Sequence, residues 1–179
     1  SDVHFALKGE YLGVISLQDI PRNEAKETLA LLQKRGFSTI LLSGDKQSCA
    51  ARISAELNIE RWLAPLTPET KTQEIERLKN QGHKVLMTGD GINDAPALAA
   101  ANVSCSIVGS SDIAMEQAQL LLTRPNLLLL PWALHVSQKT MTIIKQNLFW
   151  AFSYNLVAIP LAASGKLLPV YGAAAMAIS

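Results

Sequence analysis

The chain has 179 residues, of which 17% are charged, and a formal net charge of +1 at pH 7. This length suits one compact domain with a further segment, and the balanced charge gives no basic surface of the kind that binds nucleic acid. Charged residues recur from the start of the chain to Lys145, whereas residues 146–179 contain only Lys166. This step in composition predicts a globular domain joined to a membrane portion.

The two cysteines, Cys49 and Cys105, have no histidine or second cysteine at metal-ligand spacing. We therefore predict that both are reduced thiols in the core of a cytosolic domain. The first residues show no signal peptide, and the apolar run at the other end has no helix-ending signal. We expect both ends to be cut from a longer protein.

Short strand-like runs open the chain at residues 3–7 and 11–17, and a hairpin signal lies between them. A helix is predicted to begin at Pro21 and to close at Gly36. The later predicted strands are 38–42, 84–87, 103–108 and 120–122, and the later predicted helices are 48–57, 67–82, 94–101 and 113–118.

This alternation of strands and helices with short connections predicts an α/β fold, in which a parallel sheet has helices on both faces. Ligands of such sheets bind beyond the carboxyl ends of the strands. Two polar clusters, residues 43–45 and 90–94, follow predicted strands directly. We expect both clusters at one edge, facing one site.

The character of the sequence changes after residue 125. Residues 125–147 predict an amphipathic connecting helix, with Lys139 and Lys145 near its far end. Residues 148–165 carry no charge and predict a transmembrane helix, and 167–179 predict the start of another. Basic residues before the first span place its start on the cytosolic side.

The strongest motif is the run MTGDGINDAPAL at residues 87–98. Its glycines let the backbone approach a ligand closely, and Asp90 and Asp94 supply the hard oxygen ligands that Mg²⁺ prefers. Asn93 can hydrogen-bond a phosphoryl oxygen without adding repulsive charge. The alternative for such a run is an Asp-Gly turn followed by an N-capping Asp94.

The motif resembles the hinge signature of P-type ATPases, which belong to the haloacid-dehalogenase-like phosphotransferases and have a Rossmann-like sheet. Further segments resemble the family in the family's order: 19–22, 43–45, 68–71 and 109–114. The resemblance implies that 1–18 is a hairpin leading back from the nucleotide-binding domain. It also implies that 19–124 is the C-terminal part of the phosphorylation domain.

The resemblance also implies the roles of individual residues. Lys71 would neutralise charge on the transferring phosphoryl group, while Ser43 and the Gly44 amide would hold its oxygens. The residues assigned in this way to phosphoryl transfer are Ser43, Gly44, Asp45, Lys71, Asn93 and Asp94. Asp90 and Gly91 are assigned to cofactor binding, with Asp90 and Asp94 as Mg²⁺ ligands.

The family's nucleophile, an aspartate in an Asp-Lys-Thr-Gly-Thr run, does not occur in this sequence. Asp45 precedes a lysine, but its place in the order assigns it to the second phosphate loop. ATP is expected to bind mainly to a nucleotide-binding domain that this sequence lacks. We therefore expect no ATP hydrolysis by the chain alone.

Polar residues within the predicted spans indicate the transported ion. Tyr154, Asn155, Met176 and Ser179 resemble the membrane metal site of the Cu(I)-exporting members, and a thioether suits Cu(I). The family's zinc and cadmium exporters would place a lysine and an aspartate in these spans, and neither occurs there in this sequence. Ag(I) fits the same residues equally well. Taken singly, Tyr154 could instead be an interfacial anchor, Asn155 a helix–helix hydrogen bond and Met176 ordinary apolar filler.

The resemblance thus implies a multi-pass protein of the plasma (inner) membrane with a cytoplasmic phosphorylation domain. Its expected partners are the metal ion, membrane lipid and a copper chaperone, and no nucleic acid. Three alternatives stay open. The chain could belong to a phosphatase of the same superfamily with a hydrophobic tail, to a P-type ATPase for another metal, or to an inert partner that docks on a complete pump.

Overall fold

A computed structural model of the chain describes residues 2–16, 20–89 and 92–165. These residues form two compact units, divided between Leu130 and Pro131. The first unit contains the predicted site. The described part of the second unit is helical up to Ala163.

The chain opens with an antiparallel hairpin of strands β1 (Asp2–Leu7) and β2 (Glu10–Ser16). Its turn places Lys8 and Gly9 at positive φ, 49° and 87°. Two successive residues with positive φ match the twist of a two-residue hairpin loop. The predicted hairpin is confirmed.

Five short strands follow, and all their pairings are parallel. Strand β3 (Ile40–Leu42) pairs with β4 (Arg61–Leu63). Strand β6 (Val103–Ile107) lies between β5 (Leu86–Thr88) and β7 (Leu120–Leu122). The predicted parallel α/β fold is confirmed, but the described strands form two small sheets rather than one, and β4 was not predicted.

The helices of this unit are α1 (Ala25–Lys34), α2 (Gln47–Leu57), α3 (Pro68–Asn80), α4 (Ala95–Ala100) and α5 (Asp112–Gln117). A 3₁₀ turn, Ile92–Asp94, leads into α4. Helix α1 begins four residues later than predicted because the chain after Pro21 forms a turn, in which the Ala25 amide donates to the Arg22 carbonyl.

A small apolar core lies between α3, β5 and α4. It is formed by Ile75, Met87, Ala97 and Leu98, and Leu42 packs against it. Burial of a leucine such as Leu98 contributes about 2 kcal/mol. This core fixes α3 against the 3₁₀ turn and α4, which is the contact that builds the site.

The last described element is helix α6, Leu129–Ala163, which has 35 residues. The predicted connecting helix and the predicted spanning helix are therefore one continuous helix. Across the described ranges, no helix is both long and apolar enough to cross a membrane. The prediction of a span over residues 148–165 is not confirmed, and the predicted segment 167–179 lies outside the described residues.

Candidate functional site

Lys71 lies in the first turn of α3, and the start of this helix is fixed by a capping box. The Thr67 hydroxyl oxygen accepts from the Thr70 amide at 3.3 Å, and the Thr70 hydroxyl oxygen accepts from the Thr67 amide at 2.8 Å. Pro68 occupies the first position of the helix, where a backbone N–H would have no partner within the helix, so the lack of one costs no hydrogen bond. The Lys71 amide bonds to the Thr67 carbonyl at 3.0 Å, so the backbone beneath the lysine is held in place.

The Lys71 side chain forms an ion pair with Asp94 across the contact between α3 and the 3₁₀ turn. Lys71 Nζ lies 2.7 Å from Asp94 Oδ1, and the two side chains are 12% and 17% exposed. A pair this well covered is screened less by salt than a surface pair. The structure thus joins two predicted site residues that lie 23 positions apart.

Gly89 lies directly against Asp94. A Cβ atom at position 89 would lie 2.8 Å from Asp94 Cβ and 3.0 Å from Asp94 Oδ2. Because this space is filled by the aspartate, only glycine fits without displacing it. The Gly89 amide also donates to the Cys105 carbonyl at 3.2 Å, which ties the loop to strand β6.

The loop formed by Ser43, Gly44 and Asp45 follows β3. The Ser43 hydroxyl donates to Asp45 Oδ2 at 2.9 Å and accepts from the Asp45 amide at 3.1 Å. The Ser43 carbonyl accepts from the Leu66 amide at 2.9 Å. This bond ties the loop to the residue just before the capping box of α3, while β3, which precedes the loop, and β5, which precedes Gly89, lie in separate described sheets.

Four of the remaining predicted site residues, Asp90, Gly91, Met176 and Ser179, lie outside the described residues. Asn93 is exposed in the 3₁₀ turn, next to Asp94.

Tyr154 and Asn155, predicted to contact the transported metal, lie on α6. Asn155 is exposed and lines a shallow groove on this helix of about 430 Å³. Phe149, Phe152, Leu156 and Ile159 supply most of its wall.

The donors at the site suit Mg²⁺ in kind. Asp94 offers carboxylate oxygens, but Oδ1 accepts from Lys71 and Oδ2 lies close to Gly89. Among the described residues no group of three or more His, Cys, Asp or Glu side chains could hold a metal ion. The expected principal ligand, Asp90, is not among them.

Cys105 lies beneath the loop and is fully buried. Burial raises the pKa of its thiol to about 11, and a hydrogen bond with Thr88 opposes this shift to a smaller extent. Cys105 and Cys49 are both free thiols, but only Cys105 lies in the core as predicted, since Cys49 is half-buried.

Two features that support the site were not predicted. The Thr67–Thr70 pairing is visible in the sequence as a T-x-x-T run before an apolar stripe, which resembles a capping box. The second is an ion cluster that holds β4 against α3, in which Glu74 lies 2.7 Å from Arg61 and 2.6 Å from Arg77. The hydrogen bond from Arg77 lowers the pKa of Glu74.

Comparison with known proteins shows the family to which the chain belongs. Residues 1–102 match the haloacid dehalogenase-like hydrolase family. The chain is 43% identical over 177 residues to a copper-exporting P-type ATPase of Mycobacterium leprae, which covers 99% of this chain and 23% of that protein. The chain thus spans about a quarter of the length of the curated relatives it matches.

Two solved structures are similar as well. The catalytic domain of the CPx-ATPase CopB-B is 40% identical, with a TM-score of 0.64 over 70% of this chain and 50% of that one. A zinc-transporting PIB-type ATPase in its E2.Pi state is 32% identical, with a TM-score of 0.83 over 93% of this chain and 27% of that one. The chain therefore belongs to the haloacid dehalogenase-like hydrolase family and, within it, is similar to the metal-transporting P-type ATPases.

Proposed function

We propose that the chain is the Mg²⁺- and phosphate-handling part of an ATP-driven transporter that exports Cu(I), or Ag(I), across a membrane. In this proposal the complete protein forms and hydrolyses an aspartyl phosphate on a residue outside this chain. The observation that carries it is the covered Lys71–Asp94 ion pair, set against Gly89 at the carboxyl end of β5.

The ion pair suits phosphoryl transfer, in which catalysis consists largely of positioning and of neutralising negative charge. An ammonium group has three N–H donors, so Lys71 can donate one N–H to a phosphoryl oxygen and another to Asp94 at the same time. Asp94 holds the long lysine side chain in one conformation, which lowers the entropy lost when the phosphoryl group binds.

Mg²⁺ would supply the charge neutralisation that lysine alone does not complete. Asp94 would hold it together with Asp90, and Asn93 would bond a phosphoryl oxygen. Ser43 and the Gly44 amide would bind further oxygens of the phosphoryl group. Their loop is hydrogen-bonded to Leu66, which lies just before α3, the helix that carries Lys71. ATP would bind mainly to another domain of the complete protein.

The proposal of copper as the transported ion is supported by the residues of α6 and by the relatives. Tyr154 and Asn155 lie on α6, and Met176, which follows it in the sequence, offers the soft thioether ligand that Cu(I) prefers. The relative named as copper-exporting is 43% identical, whereas the zinc-transporting structure is 32% identical. Location in the plasma (inner) membrane and delivery of metal by a copper chaperone belong to the same proposal.

The test uses the full-length parent protein in membrane vesicles, with metal-stimulated ATP hydrolysis and phosphoenzyme formation as readouts. Lys71→Met should abolish Cu(I)-stimulated hydrolysis, because the transferring phosphoryl group loses its cation. Lys34→Met is the matched control, since Lys34 is exposed in the last turn of α1. Equal activity of the two variants would refute the role of Lys71.

Asn155→Ala tests the metal assignment separately. Cu(I) stimulation should fall while phosphorylation from inorganic phosphate, measured without added Cu(I), is retained. Unchanged Cu(I) stimulation would remove Asn155 from the metal site. Stimulation of the unsubstituted protein by Zn²⁺ but not by Cu(I) would refute copper as the substrate.

A further inference from the structure

The lead-in to helix α6 is held by a side chain from the other end of the domain. Glu24 Oε1 accepts a hydrogen bond from the Leu127 amide at 3.3 Å, and the two residues are 103 positions apart in the chain. Beside it, Asn126 Oδ1 accepts from the Leu128 amide at 2.9 Å. Two successive amides at the entry to α6 therefore have side-chain acceptors.

These two bonds satisfy backbone amides at the start of the helix. The first amides of a helix have no partner within it, and its start carries a partial positive charge. The carboxylate of Glu24 satisfies one amide and places a negative charge beside that end. Asn126 acts locally, as expected of a residue that precedes a helix, whereas Glu24 acts from a distant element.

Glu24 is placed where it would ordinarily cap its own helix. It directly precedes α1, yet its side chain makes no capping bond to α1. The next residue, Ala25, is buried and fixes the backbone beneath it. At the other end of the contact, Leu130 is also buried, so both partners are anchored in the unit that ends at Leu130.

We propose that Glu24 is a positioning residue that couples the site-bearing unit to α6. By holding the Leu127 amide, it makes the turn that leads into α6 follow the movements of the domain that carries Lys71 and Asp94. The inference rests on the proposed function, in which chemistry at that site drives metal movement along the helices that follow. Nothing in the local sequence around Glu24 indicates this role, because its partner is remote.

The test uses the full-length parent protein and two readouts. Hydrogen exchange of the peptide spanning 125–130 reports the contact, and the ratio of metal transported to ATP hydrolysed in vesicles reports coupling. Glu24→Ala should raise exchange at Leu127 about fivefold, as expected for loss of one hydrogen bond, and should lower the transport ratio while phosphoenzyme still forms. Glu24→Gln keeps an oxygen acceptor and should restore both values towards those of the unsubstituted protein.

Glu27→Ala is the matched control, because Glu27 is exposed in the first turn of α1. Unchanged exchange in Glu24→Ala would show that the contact does not hold the lead-in, and the proposal would fall. Faster exchange with an unchanged transport ratio would also overturn it, as would an equal effect of Glu27→Ala. Failure of the proposed function would look different, since the unsubstituted protein itself would then show no metal-stimulated hydrolysis.

Discussion

The ion pair between Lys71 and Asp94 makes a quantitative prediction about stability. We expect Lys71→Met to lower the free energy of unfolding of the first unit, because it leaves the Asp94 carboxylate covered and without its lysine. Asp94→Asn should have a similar effect through the unpaired ammonium. The two changes together form a double-mutant cycle that isolates the pair from the rest of each side chain.

The expected magnitude follows from the geometry of the pair. Exposed ion pairs contribute about 0–1 kcal/mol, whereas removal of one partner of a buried pair costs about 3–5 kcal/mol. With a separation of 2.7 Å and side chains 12% and 17% exposed, this pair lies between these cases. We expect each single substitution to cost about 2 kcal/mol, with a coupling energy of about 1–2 kcal/mol.

The measurement is urea unfolding of the 179-residue chain in mild detergent, followed by tryptophan fluorescence. Trp62 lies in β4 within the first unit, so a background with Trp132→Phe and Trp150→Phe makes the signal specific to that unit. Raising the salt concentration to about 1 M should reduce the coupling only in part, since covered charges are weakly screened. A coupling energy below about 0.3 kcal/mol would refute the reasoning, because that is within the additivity of independent sites.

Two further predictions concern the loop beside this pair and the strand beneath it. Gly89→Ala should destabilise the first unit by about 1–3 kcal/mol, as overpacking does. The cost should be smaller in an Asp94→Gly background, because that change removes the atoms that the new Cβ would meet. An equal cost in both backgrounds would refute the contact. Cys49 should be alkylated at pH 8 in the folded chain while Cys105 is not, because burial raises the pKa of Cys105 from 9.0 to about 11. Since its folded pKa is the higher one, the stability that Cys105 contributes is present below pH 9 and is lost as the pH rises towards 11. Alkylation of the two thiols at equal rates, measured by mass spectrometry, would contradict this.

Most elements could be predicted from the sequence because their local signals agree with their tertiary environment. The hairpin turn and the Thr67-Pro68 helix start carry their own chemistry, and both were found where expected. Strand β4 was missed because Arg61–Leu63 has only three residues and no alternation. Its strand conformation depends on pairing with β3, which a local pattern does not contain.

The prediction of the site named individual residues but not the contacts between them. The family resemblance assigned Lys71 as a cation for the phosphoryl group, and the motif at 87–98 pointed to Asp94 as a metal ligand. Their direct pairing depends on how α3 packs against the 3₁₀ turn, and that packing is set by the core around Ile75 and Leu98. In the same way, the glycine at position 89 was expected to admit a ligand, and it is Asp94 that approaches it.

The length of helix α6 determines how far a small rotation at its start would move its other end. Leu129–Ala163 comprises 35 residues, which at about 1.5 Å per residue is roughly 50 Å of helix. A rotation of about 10° about its first turn would carry the last turn through about 9 Å, if the helix moved as a rod of that length. A small change at the hydrogen bond between Glu24 and the Leu127 amide would thus become a displacement of several ångströms at the last turn of a helix moving in this way.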